Sequence, residues 1–126
     1  HRALMDLLNL GNNHHANAQF NLGVMYYTGG GLRKNDRKAF EWFEKAAGQG
    51  HPKAQYNLGV MYETGQVVIQ DHHQAFKWFR KAADQGHADA QHNLGIMCKK
   101  GYGVVKNDKK AVEWFEKAAE QGLASA

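Results

Sequence analysis

The chain has 126 residues, of which 43% are apolar and 22% charged, with fourteen glycines and a single cysteine. A chain of this length buries enough apolar surface to fold without disulfides or metals, and one cysteine excludes an internal disulfide framework. No apolar run approaches the roughly 20 residues that cross a bilayer. No N-terminal segment resembles a secretory signal, which favours a cytoplasmic location without fixing the compartment. The start at His1 is consistent with a fragment of a longer protein.

The distribution of charge does not favour nucleic acid as a partner. The chain carries 16 Lys and Arg residues against 12 Asp and Glu residues, a net charge of +4. Residues 16–51 hold five basic and three acidic side chains, residues 52–87 four and three, and residues 88–122 six and five. A nucleic-acid binder usually concentrates its positive charge in a stripe, whereas a mixed-sign pattern is typical of an ordinary solvated surface.

The chain repeats itself every 36 residues without a gap. Fifteen of the 36 positions are identical in the copies that begin at residues 16, 52 and 88. Such a period predicts a stacked array of supersecondary units. The positions identical in every copy include Ala18, Leu22, Gly23, Gly29, Ala39, Trp42, Phe43, Ala46, Ala47 and Gly50.

Each copy predicts two helices, here called helix A and helix B. In helix A of the second copy the apolar residues recur at the spacing of one helical face, from Ala54 through Leu58 to Tyr62. Gly59 and its counterparts lie in mid-helix, where glycine costs about 1 kcal/mol relative to alanine. A cost incurred in every copy predicts a close approach of another helix at this position.

The segment after helix A predicts a turn and then helix B. Gly65 and Gly86 follow the last periodic residues of the two helices, where a left-handed turn favours a residue without Cβ. Asp71, like Asn35 and Asn107 at the same repeat position, is a suitable N-cap for helix B. We expect the apolar loop residue of each copy to pack on the core, and these residues are Leu32, Val68 and Val104.

The repeated pattern resembles the Sel-1-like repeat, a relative of the tetratricopeptide repeat. The second copy carries it as Ala54-x-x-x-Leu58-Gly59-x-x-Tyr62-x-x-Gly65, then Val68-x-x-Asp71, then Ala75-x-x-Trp78-x-x-Lys81-Ala82-Ala83-x-x-Gly86. The resemblance covers residues 16–122, and Cys98 departs from it at the position of Tyr26 and Tyr62. It implies an all-α, right-handed superhelical solenoid of antiparallel helix pairs with a 36-residue repeat. It also implies a non-catalytic scaffold or adaptor for protein–protein interactions.

The repeat phase divides the chain into one solenoid domain with incomplete ends. Residues 1–15 resemble a degenerate helix B, residues 16–51, 52–87 and 88–122 form three repeats, and residues 123–126 begin a further one. Solenoids stack only on their neighbours and need polar caps, which the C-terminal side lacks. We therefore expect end-to-end self-association through the last helix B, which light scattering at high concentration would detect.

Helix A carries apolar side chains on two sides, whereas the side of helix B opposite its core face is polar. In tetratricopeptide relatives helix A lines a concave surface, so the resemblance places its second apolar side in a groove. Aromatic and aliphatic side chains would form the floor and polar ones the rim. The candidate partner-binding residues are Asn17, Phe20, Asn21, Val24, Tyr27, Lys53, Tyr56, Asn57, Val60, Glu63, Asp89, His92, Asn93, Ile96 and Lys99. The predicted partner is a peptide segment or a helix of another protein.

Alternative interpretations exist for the same residues. Asn21, Asn57 and Asn93 have amides that can hold the main chain of an extended peptide, but they can equally bond neighbouring helices or loops. The apolar rows can likewise pack inside the superhelix. Differences between copies at the rim are expected both of ligand recognition and of neutral drift.

The sequence offers little support for catalysis, a metal or a cofactor. Ser125 is the only serine, and Cys98 lies at a core position. The adjacent histidines at 14–15 and 72–73 lack the i, i+4 spacing of a helical zinc pair, and Gly29-Gly30-Gly31 lacks the context of a phosphate loop. Cysteine-rich secreted relatives are associated with penicillin binding or weak β-lactamase activity, so a β-lactam-binding hydrolase is the alternative function. The repeat disulfides of those relatives are absent here.

Overall fold

The computed structural model describes residues 15–125, with side chains for residues 15–122. Within this range the chain forms six helices and no strand. Residues 1–14, where the sequence predicts a degenerate half-repeat, and residue 126 lie outside the described range. The helices are α1 (Ala16–Thr28), α2 (Asp36–Gly48), α3 (Pro52–Thr64), α4 (His72–Asp84), α5 (Ala88–Lys100) and α6 (Asp108–Ser125). None of these helices has the length and apolar character needed to cross a membrane.

The helix pairs of the 36-residue period are confirmed, with α1, α3 and α5 as helix A and α2, α4 and α6 as helix B. Helix α1 packs on α2, α4 on α5, and α5 on α6. The chain divides into two compact units whose boundary falls between Leu58 and Gly59, inside α3. The first unit therefore contains α1, α2 and the start of α3, and the second contains the rest of α3 with α4, α5 and α6.

The predicted caps of helix B are confirmed in every pair. The side-chain oxygens of Asn35, Asp71 and Asn107 each accept a hydrogen bond from the backbone N–H three residues later, at 3.0, 3.1 and 3.0 Å. The backbone N–H of the same residue also donates to a carbonyl in the last turns of helix A, that of Tyr26, Tyr62 or Cys98. Each cap thus starts helix B and closes the turn between the two helices.

The glycine in the middle of helix A marks a close helix contact, as its recurrence predicts. A Cβ atom placed on Gly23, Gly59 or Gly95 would lie 2.5 to 2.6 Å from ring carbons of Phe43, Phe79 or Phe115 respectively. Real Cβ atoms do not approach carbon so closely, so only glycine lets the phenylalanine of helix B pack this close to helix A.

The core is built from the same repeat positions in both units. Buried residues include Leu22, Leu58, Leu94, Phe43, Phe79 and the alanines of the first two helices B, Ala46, Ala47, Ala82 and Ala83. The loop residues Leu32, Val68 and Val104 are half-buried. The lysine three residues after each tryptophan lies over its ring. The Nζ of Lys45 is 4.4 Å from the Trp42 ring centroid, and the Nζ of Lys117 is 4.7 Å from that of Trp114.

The last helix B differs from the other two in length. Helices α2 and α4 end before Gly50 and Gly86, which adopt φ values of 97° and 91°, whereas α6 continues through Gly122 to Ser125. In the first two copies the residue after this glycine is His51 or His87, which starts the next helix A. In the third copy it is Leu123.

Candidate functional site

The fifteen residues that the sequence assigns to a partner-binding groove all lie outside the buried core. They lie on the side of helix A that faces away from the core, so they retain contact with solvent. Seven are exposed, namely Asn17, Asn21, Tyr27, Lys53, Asp89, His92 and Lys99. Eight are half-buried, namely Phe20, Val24, Tyr56, Asn57, Val60, Glu63, Asn93 and Ile96.

In the first unit several of these residues surround one pocket of about 500 Å³. The ring of Phe20 stacks on the imidazole of His51 with centroids 4.6 Å apart. Its other neighbour is the buried ring of Phe43, at 5.7 Å and tilted by 38°. The glycine of α1 permits this arrangement, because it lets Phe43 lie directly beneath the helix. The pocket is lined by Asn17, Phe20, Asn21, His51, Pro52 and Lys53.

His51 links this pocket to the start of the next helix. Its Nδ1 accepts a hydrogen bond of 3.2 Å from the backbone N–H of Ala54, so the imidazole caps α3. Burial, and to a smaller extent the positive charge of Lys53, lowers the pKa of His51 below its ordinary value of 6.5. The neutral ring is the form that both accepts this hydrogen bond and stacks on Phe20.

In the second unit a comparable pocket of about 640 Å³ lies between α5 and α6. His92 occupies the repeat position of Phe20, and its ring centroid lies 5.4 Å from that of Phe115, with the planes at 52°. Asp89 and His92 are the predicted groove residues here. The remaining lining residues are Ala88, Phe115, Ala118, Ala119, Gln121 and Gly122.

Four of the fifteen predicted groove residues are asparagines. Asn17 and Asn21 are exposed, and Asn57 and Asn93 are half-buried. The hydrogen bonds found within residues 15–122 include none from the side chains of these four asparagines. Each amide therefore has donors and an acceptor that can meet a ligand or water.

Sequence reasoning missed two sets of polar residues that build the surroundings of the site. Gln19, Gln55 and Gln91 are buried, and the Nε2 of Gln55 donates to the Ala47 carbonyl at 3.1 Å, as Gln91 does to that of Ala83. His51 and His87 cap the helix A that follows them, through hydrogen bonds of 3.2 Å. The signal was present, because all three glutamines and both histidines recur at the 36-residue period.

The titratable side chains of the described residues include one buried cysteine and no metal-binding cluster. No three His, Cys, Asp or Glu side chains within this range lie close enough to share a metal ion. Cys98 is buried, and desolvation raises the pKa of its thiol, with Lys110 and Arg80 opposing the rise. A thiol of raised pKa in an apolar position is a poor nucleophile.

The chain matches a known repeat family and several solved structures. A family model described as Sel1 repeat matches residues 16–51, 52–87 and 88–123. The crystal structure of a Sel1 repeat protein from Oxalobacter formigenes is 43% identical, covers 97% of this chain and 92% of that one, and has a TM-score of 0.91. No curated protein matches the chain.

Two further structures are similar. The protein c5321, a protective antigen present in uropathogenic Escherichia coli strains and displaying an SLR fold, is 42% identical over 94% of this chain and 26% of that one, with a TM-score of 0.89. Helicobacter pylori cysteine rich protein B is 31% identical over 93% of this chain and 89% of that one, with a TM-score of 0.72. With the helix pairs described above, these matches establish an all-α repeat solenoid as the fold class.

Proposed function

Since the chain belongs to the Sel1 repeat family, we propose that it binds a peptide segment or a helix of a partner protein in a groove lined by the side of helix A opposite its core face. Proteins of this family are generally protein-interaction scaffolds and typically not catalysts. The proposal specifies the surface, on helix A, and the kind of ligand, a peptide segment or a helix. Its surface comprises the fifteen predicted residues, eight of them on α1 and the start of α3 in the first unit.

The observation that carries the proposal is the pocket around Phe20. An aromatic ring that remains half-buried at the floor of a 500 Å³ pocket offers apolar area to a ligand side chain. The ring is held by its contacts with Phe43 and His51, so little conformational entropy is lost when a ligand packs against it. Asn17, Asn21 and Lys53 surround it with donors that can set the register of a peptide main chain.

The unpaired asparagine amides support the same interpretation over its alternative. If these residues served to bond neighbouring helices or loops, their amides would be engaged within the described part of the chain. Buried glutamines at a nearby repeat position do exactly that, since Gln55 bonds the preceding helix through its Nε2. The asparagines are left available for a ligand.

The pocket between α5 and α6 supports end-to-end association as a part of the same proposal. Phe115 and Ala118 are half-buried and Ala119 is exposed, so the second unit presents apolar side chains that another helix can cover. The β-lactam hydrolase alternative is not favoured, because Cys98 is buried and no disulfide links the repeats.

A binding measurement with defined variants tests the proposal. Peptides of twelve residues selected from a displayed library against the whole chain provide a ligand, and titration calorimetry gives its affinity. We expect Tyr56→Ala and Asn21→Ala to weaken binding by about 1 to 2 kcal/mol each, as loss of contacts near the centre of an interface does. Circular dichroism should show unchanged helix content for both variants.

The control is Lys77→Ala, which removes an exposed side chain from α4, a helix B, and should leave the affinity unchanged. Selected peptides that lose affinity with Lys77→Ala but not with Tyr56→Ala or Asn21→Ala would contradict the assignment to helix A.

A further inference from the structure

A different pocket lies beside the turn between α1 and α2 in the first unit. Its volume is about 460 Å³. None of the fifteen predicted groove residues lines it. Its lining residues are Tyr26, Leu32, Arg33, Lys34, Asn35 and Lys38. Half of them are cationic, and the two apolar ones, Tyr26 and Leu32, are half-buried.

The three cations are in different electrostatic situations. Lys34 is engaged, because its Nζ donates to the Tyr27 carbonyl at 2.7 Å and pairs with the Asp36 carboxylate at 2.5 Å. The Nζ of Lys38 lies 5.5 Å from the ring centroid of Tyr26. Neither Lys38 nor Arg33 forms an ion pair with a carboxylate in the described part of the chain. Two exposed charges therefore border this pocket, beside Tyr26 and Leu32, without a carboxylate of the described residues as counter-ion.

The second repeat shows that folding does not require these charges. At the positions of Arg33, Lys34 and Lys38 it carries Ile69, Gln70 and Gln74. The Nε2 of Gln70 donates to the Glu63 carbonyl at 2.6 Å, which is the same main-chain contact that Lys34 makes with Tyr27. A neutral side chain thus closes the turn equally well.

We propose that this pocket binds an acidic segment of a partner protein, with its carboxylate on Arg33 and Lys38 and an adjoining apolar side chain on Tyr26 and Leu32. A guanidinium presents a fork of donors that matches a carboxylate, and a lysine adds a mobile point charge. The apolar lining favours a peptide over a small hydrated anion, because the small anion gains nothing from Tyr26 or Leu32. None of the pocket's lining residues belongs to the helix A surface of the proposed function.

The probe is a blocked, fluorescein-labelled peptide of alternating glutamate and leucine, and its matched control has glutamine in place of glutamate. Fluorescence anisotropy at low salt measures affinity for the whole chain. We expect saturable binding of the acidic peptide that weakens with added salt, and at least tenfold weaker binding of the glutamine peptide. In ¹H–¹⁵N spectra the acidic peptide should shift the amide signals between Tyr26 and Lys38.

The decisive variant is Arg33→Ile with Lys38→Gln, which installs the residues of the second repeat and so keeps a combination that this fold accepts. It should weaken binding five- to tenfold. The control, Lys77→Gln with Lys81→Gln, removes the same charge from α4 and should change the affinity less than twofold. A converse variant of the second repeat, Ile69→Arg with Asp71→Asn and Gln74→Lys, should raise the stoichiometry from one to two.

Three results would overturn the proposal. The first is equal weakening by both double variants, which would show attraction to net charge alone. The second is an absence of saturable binding with shifts spread over the whole chain. The third is displacement of the peptide by inorganic phosphate at a similar concentration, which would show a site for small anions without peptide recognition.

Discussion

Helices α2 and α6 occupy the same place in the repeat and share the Trp, Phe and Ala-Ala positions, yet they differ in exposure. Phe43, Ala46 and Ala47 are 2%, 0% and 2% exposed in α2. In α6, Phe115 and Ala118 are half-buried, and Ala119 is exposed. The alanines of α2 are covered by α3, whose Gln55 bonds the Ala47 carbonyl. A helix pair therefore does not complete its own core, and identical residues become core in one repeat and the wall of a pocket in another.

The largest expected effect comes from filling the close contact between helices A and B. Gly23→Leu should lower the free energy of unfolding by about 3 kcal/mol, because the new side chain meets Phe43, which is fully packed. Gly95→Leu should cost about half as much, since Phe115 borders an open pocket and can rotate away. Urea unfolding followed by circular dichroism measures the difference.

Gly48→Leu is the control for this pair, because a Cβ on Gly48 meets no atom within 4 Å. It should leave the free energy of unfolding unchanged or raise it by no more than about 1 kcal/mol, because it replaces a helical glycine without a clash. Equal losses for Gly23→Leu and Gly95→Leu would mean that Phe115 is held as firmly as Phe43, and the contrast between α2 and α6 would then be one of exposure alone.

The fold was largely predictable because its determinants lie within one 36-residue period. The caps at Asn35 and Asp71, the glycine at position 23 and the apolar faces each express local chemistry that the repeat displays several times. The period likewise predicts that the fifteen candidate residues lie on the side of helix A opposite its core face. Their assembly into one groove stays a prediction, because it depends on how successive pairs are arranged.

The specific polar contacts between different helices were not predicted. The bond from Gln55 to the Ala47 carbonyl joins two helices, and periodicity within either helix does not reveal it. The pocket of Arg33 and Lys38 was likewise hidden, since the even spread of charge along the chain says nothing of where an unpaired cation meets an apolar cavity.

Two glutamine substitutions test, with a smaller expected effect, how firmly α6 is attached to its neighbour. Gln55→Leu should lower the free energy of unfolding by about 1.5 kcal/mol, because it removes a buried hydrogen bond that attaches α3 to α2. Gln121→Leu in α6 should cost less than about 1 kcal/mol, since Gln121 is half-buried and water can replace its bond to Gln91. Thermal unfolding of the two variants measures the difference. A loss for Gln121→Leu equal to that for Gln55→Leu would show that α6 is attached to α5 as firmly as α3 is to α2.

The smallest effect is expected at His51, which caps α3. The folded chain lowers the pKa of His51 below 6.5, so on acidification through that value the unfolded chain takes up a proton that the folded one does not. Stability is therefore lost as the pH falls from about 6.5 towards the folded pKa. Protonation would also remove the acceptor for the Ala54 N–H and place a positive charge at the start of α3.

His51→Asn separates this contribution from the rest of the chain. Asparagine caps helices well and does not titrate, so the variant should resemble the parent at pH 8 and lose less thermal stability at pH 5. The control is His15→Asn at the same repeat position, because His15 makes no side-chain cap to α1 and should leave the pH dependence unchanged. If His51→Asn and the parent lost the same stability between pH 8 and pH 5, the cap of α3 would not depend on the neutral imidazole. The attachment of α3 to α2 would then have to rest on the buried glutamine and alanine contacts.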